Sequence, residues 1–227
     1  MPKGCNTPGM GRGLCVLIVV AAGFGACGSG SGSATPSTLP GPKITHVAAR
    51  RVVEMSVKGI GDGSPVVHWD VARIRVAKAI TNQATAVDMA ALVFPAFTTA
   101  GQCLQSVRVT LPHATVTTGM QLAIYPSAAT SLAKGQPPAS GAPVTTLLDN
   151  RPRGLAYLAR GTFDAIVDVT DMARLWADGS PFPSQARSVP KGTPFIVVAR
   201  PPGFDNGTFA LTTSARPRLD VIVRADC

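Results

Sequence analysis

Residues 163–179 read FDAIVDVTDMARLWADG, and a change of rhythm halfway along them decides the fold. From Phe163 to Val169, Ala165, Val167 and Val169 fall on every second position, with Asp164 and Asp168 on the other side. That is the period of a strand with one buried face. At Thr170 the period lengthens. A Thr cap, Asp171 in the first turn, apolar Met172, Leu175 and Trp176, and a terminal Gly179 followed by Pro181 predict one short helix.

Working outward, the two-residue period recurs between turn signals. Val107, Val109 and Leu111 alternate with Ser106, Arg108 and Thr110, and Gly119–Tyr125 continues the pattern. Phe195–Ala199 reads as a compact buried strand. Asp205-Asn206-Gly207 is a hairpin turn leading into Phe209, Leu211 and Thr213, and Leu219, Val221 and Val223 form a closing strand. Upstream, Arg51–Val57 reads as a strand, Val66–Val76 as one run with Val67, Trp69 and Val71 inward or, alternatively, as a helix, and Asp88–Phe97 as a strand with a bulge or an edge at its end, where Pro95 follows the apolar stretch Met89–Phe94. Ser127–Pro143 reads as a loop too long and polar for a core element. With 23 Gly, 20 Pro and a single Glu (Glu54) against eleven Asp, the chain lacks the surface residues of long helices. Hydrophobic residues at 45% and charged residues at 15% exclude a disordered acidic tail or a coiled coil. The expected fold is all-β, a jelly-roll-like antiparallel β-sandwich with one short helix, over residues 44–227.

The order of these segments, SVRVTL, QLAIYP, FDAIVDVTDMARLWADG, FIVVA, FALTTS and PRLDVIV, resembles the DNRLRE-type β-sandwich, related to carbohydrate-binding modules with a jelly-roll fold. Its most specific piece is the strand-to-helix join, similar to the family's F-D-V-T-x-x-V-x-x-W-x-x-G, with Val169, Thr170, Trp176 and Gly179 in matching places. The likeness covers about Val66 to Val223 and implies a sandwich with a carbohydrate-type ligand. The family's long middle strands and its asparagines are not evident here.

The first segment reads as an address. Lys3 and Arg12 precede the apolar run Leu14–Ala22, then Gly23-Phe24-Gly25-Ala26-Cys27, with no acid before residue 28. A charged start, a short apolar stretch and small residues before a cut make a secretory signal over 1–26. Around the cut the sequence is similar to a bacterial lipobox, which implies acylation (palmitate-type chains) of Cys27; Phe24 stands where leucine is usual. An ordinary cleaved signal is the alternative, and translation from Met10 would also leave a compact signal. Residues 27–43, rich in Gly, Ser and Pro, form a tether reaching on the order of 50 Å when stretched. The expected localisation is the outer side of the cell membrane, held there by lipid.

The full chain carries 21 Lys+Arg against 12 Asp+Glu, +9; without Lys3 and Arg12 the balance is 19 against 12, +7. The arginines are scattered with no run of like charge, and no stacking-aromatic motif accompanies them, so nucleic acid is not an expected partner. Anionic headgroups, envelope polysaccharide or another acidic polymer fit a basic exported surface, and a merely solvated face is the plain alternative. Cys5 and Cys15 leave with the signal. Cys103 and Cys227 remain and are expected to form a disulfide rather than two free thiols. No CxxC spacing, no H-E-x-x-H, no G-x-S-x-G and no phosphate-binding loop occurs, so neither a metal, a cofactor nor a catalytic residue is expected. His46, His68 and His113 are dispersed and read as surface residues. Asp164 and Asp168 lie four residues apart on one strand, about 13 Å, beyond the roughly 5–9.5 Å of glycosidase pairs.

Sugar binding uses an exposed flat aromatic as a platform. Trp69 and Trp176 read as inward. Tyr125, before Pro126, and Tyr157, in a loop after Asn150, are the better exposed candidates, with half-buried packing as their alternative. Arg151 and Arg153 nearby could bind acidic sugars through forked hydrogen bonds. The expectation is a non-catalytic, lipid-anchored binding protein. A carrier of lipid or another hydrophobic ligand is the rival reading, and a hydrolase comes third.

Overall fold

The computed structural model describes residues 41–58, 65–80, 85–96, 103–137, 148–149, 151–180, 182, 188–202 and 208–224. The chain divides into two units, Met1–Thr38 and Leu39–Cys227, and every described residue belongs to the second. The leader, Cys27, the 205–207 turn and Cys227 lie outside the described residues. The elements are β1 (Lys43–Ala48), β2 (Arg51–Lys58), β3 (Val66–Trp69), β4 (Ile74–Ile80), β5 (Thr85–Phe94), β6 (Cys103–Val116), β7 (Met120–Pro126), α1 (Thr130–Lys134), β8 (Gly154–Leu158), β9 (Gly161–Asp168), α2 (Thr170–Ala177), β10 (Phe195–Arg200), β11 (Phe209–Thr213) and β12 (Arg218–Arg224).

All strand pairs are antiparallel, in the order β1-β12-β6-β11-β4-β5-β10-β7-β8, with β2 joining β5 and β3, and β9 joining β6. The fold is all-β and sandwich-like, a sheet curled on itself. Two long strands make the curl. β5 pairs with β2 along one edge and, on the other, with β4 near Thr85–Asp88 and then β10 near Ala90–Phe94. β6 pairs with β9 along one edge and, on the other, with β12 over Cys103–Thr110 and then β11 at Thr115–Val116. Its bend falls at Pro112-His113, where the register to β9 shifts and His113 takes φ 48. Proline has no N–H to give the ladder, so the bulge forms there.

The alternation read from the sequence is the burial observed. Val107, Val109, Leu111, Ala165, Val167, Leu219, Val221 and Val223 all face the core. Burying such a side chain contributes about 1.5–3 kcal/mol, enough to hold the register against a one-residue slip. Thr110 departs from the pattern: it is buried on the polar side and donates its hydroxyl to Asp220 Oδ2 at 2.7 Å.

Several expectations need correction. The helix over 170–177 is present, with Met172, Ala173 and Trp176 buried, but Thr170 does not cap it. Asp168 Oδ1 accepts the Thr170 N–H at 2.9 Å, while the Thr170 hydroxyl accepts from Val107 N–H, tying helix to sheet. Among the described residues there are two helices rather than one. α1 lies inside the stretch read as a loop and buries Leu132. Residues 66–76 are two strands, because Asp70 adopts φ 47 and breaks the run. β1 and β8 were not expected. β8 holds Tyr157 in a strand, where a loop was expected.

Candidate ligand-binding face

β8 pairs with β7, setting Tyr157 opposite Gln121, Leu155 opposite Ala123 and Gly154 opposite Ile124. β7 pairs onward with β10, setting Ala123 opposite Arg200 and Tyr125 opposite Val198. Leu155, Ala123 and Arg200 therefore share one row and one face, and Tyr157 and Tyr125 flank that row on the same side. Tyr157 and Leu155 are open to solvent, 80% and 60% exposed. Gly154 faces the other way, where a Cβ would come within 2.7 Å of the Asp168 carbonyl; only glycine lets β8 approach β9 this closely.

The two tyrosines part company. Tyr125 is 8% exposed, so it is no platform. Burial pushes its hydroxyl pKa up, partly offset by the Arg200 charge, whose guanidinium carbon lies 5.5 Å from the ring centre. Arg151 and Arg160 are exposed at the two ends of β8. Arg153 is half-buried and committed to Asp149, Nη2 to Oδ2 at 3.4 Å, so it is not a free cation. The Nε groups of Arg153 and Arg200 are both buried without a hydrogen-bond partner. Arg200 escaped the sequence reading: it ends a strand of buried apolar residues, and only the pairing of β10 with β7 brings it over Tyr125.

The remaining candidates are engaged in the fold. Asp164 accepts the His113 N–H at 2.9 Å and pairs with Arg218 Nη2 at 3.5 Å; the His113 bond, above all, holds its carboxyl below the usual range. Asp168 caps α2. Asp220 takes Thr110, Arg218 Nε at 3.0 Å and His46 Nδ1 at 2.6 Å. Burial pushes the Asp220 carboxyl up, but those hydrogen bonds together hold it low. His68 is exposed and Trp69 packs against the core beneath Arg51, 5.7 Å from its ring centre. Trp176 packs edge-on to Phe195 and donates Nε1–H to Thr193 O at 3.3 Å. Cys103 stands opposite Arg224, three residues before Cys227 in sequence. Among the described residues, no group of three His, Cys, Asp or Glu side chains could hold a metal.

The face built by β8 thus presents an exposed aromatic and an exposed leucine, with Arg151 and Arg160 exposed beyond the two ends of the strand. No protein-family model matches the chain, and no curated protein matches it.

Proposed function

We propose that the protein is an exported, lipid-anchored, non-catalytic lipoprotein whose sandwich binds an acidic carbohydrate or similar envelope polymer on the β8 face. The observation that carries this reading is Tyr157, 80% exposed on a strand with Leu155 exposed on the same face, and with Arg151 and Arg160 exposed beyond the strand's ends. An exposed ring meets the C–H face of a sugar, and guanidinium forks match carboxylate or phosphate. The sandwich and the strand-to-helix join support the likeness to carbohydrate-binding jelly rolls; the ligand class rests on the face itself. Anchoring through Cys27 is supported by the lipobox-like leader and the tether. A Cys103–Cys227 disulfide is supported by the register, which brings Arg224, three residues before Cys227, opposite Cys103.

Retention on purified cell-wall polysaccharide tests the reading. The protein binds, and salt releases it because the arginine contacts are exposed and screened. Tyr157→Ala and Arg151→Ala lose retention while keeping the melting temperature. Failure to bind any acidic envelope polymer, or equal binding by Tyr157→Ala, overturns it.

A further inference from the structure

A cleft of about 230 Å³ opens between the turn joining β3 to β4 and the turn joining β11 to β12. Val52, Val71 and Ile74 give it an apolar lining, while Asp70, Ser214 and Arg216 bring polar groups to it. Asp70 is held at φ 47, a conformation that side-chain-bearing residues adopt rarely and that clusters at binding sites. Its carboxylate is 60% exposed, with Arg51 Nε at a long 3.5 Å. Arg216 is clamped from behind: Nε donates to Ala49 O at 2.6 Å and Nη2 to Arg50 O at 2.5 Å. A guanidinium has five N–H donors, so most of its capacity is left. Among the described residues no ion pair joins Asp70 to Arg216. Opposite charges therefore line one small cleft, Asp70 with Arg51 beside it and Arg216 bound to two backbone carbonyls.

We propose that this cleft binds a small zwitterion of amino-acid size, its ammonium on Asp70, its carboxylate on Arg216 and the Ser214 hydroxyl, and its short side chain over the apolar lining. Two arguments select that ligand. The volume falls below the roughly 300–1,000 Å³ of sites for larger ligands, so a small molecule fills the cleft better than an acyl chain or a nucleotide. A cation would face the like charge of Arg216 and an anion the like charge of Asp70, whereas a dipolar ligand meets each with the opposite charge. No residue of the β8 face takes part, so this proposal stands apart from polymer binding.

The test is calorimetric titration of the full chain with L-alanine, set against ethylamine, propionate and glycerol. L-alanine binds saturably, and the other three bind at least about tenfold more weakly. Asp70→Asn keeps size and shape at a position where asparagine tolerates positive φ, so it folds. It weakens L-alanine binding about tenfold. Asp70→Gly, which relaxes the backbone and removes the carboxylate, does the same. No saturable binding of L-alanine, unchanged binding in both variants, or a single-charge or neutral probe matching L-alanine overturns the proposal.

Discussion

Tyr125 and Tyr157 stand on neighbouring strands and are assigned opposite duties by exposure alone. Tyr125, buried beneath Arg200, belongs to packing, and Tyr125→Ala should cost about 3 kcal/mol in urea unfolding. Tyr157→Ala should change stability by no more than about 0.5 kcal/mol, since nothing packs over the ring. Asp220 carries a pH dependence. Its folded pKa lies below the ordinary 3.8, so its contribution is complete above the unfolded pKa and is lost as pH falls through the folded value. Asp164 shifts the same way and adds to the same acid-side loss. Urea midpoints should stay level from neutral pH down to the ordinary aspartate range and fall below it, and Asp220→Asn should lessen that acid-side fall.

At the scale of elements, the joins are where single changes tell most. Gly154→Ala forces a Cβ against the Asp168 carbonyl, backbone that cannot swing aside, and should cost on the order of 2 kcal/mol or more in thermal or urea melts. Strands with one buried face were legible: 106–111, 163–168 and 219–223 write their period in apolar residues because burial demands it. β1 was not, since all its side chains but Val47 are exposed, and the ladder to β12, the His46–Asp220 pair and the packing of Val47 hold it. β8 hid for the opposite reason. Gly154 and Leu158 are buried while Leu155 and Tyr157 are exposed, so apolar residues on both faces erase the alternation. The break at Asp70 was invisible because the alternation of 66–76 runs through it. Of the candidate site, Tyr157 and Arg151 could be read from chain position. The Arg200–Tyr125 pair depends on which strands become neighbours, and no local pattern records that.

Across the whole molecule, the proposed lipoprotein would hold its sandwich at a membrane by a tether and close it with one covalent bond. A Cys103–Cys227 bridge would span more than a hundred residues, and its reduction should lower unfolding free energy by about 4 kcal/mol. The helix α2 contributes to the same closure, since Trp176 wedges edge-on to Phe195 of β10. Localisation decides what this surface meets: exposed arginines and a tyrosine face envelope polymers only if the chain leaves the cytosol. The most direct measurement is the intact mass of native protein extracted from membranes with detergent. The account predicts a chain beginning at Cys27, carrying acyl mass on that residue and lacking two hydrogens at Cys103 and Cys227. A protein that retains residues 1–26, or bears no acyl group, would contradict it.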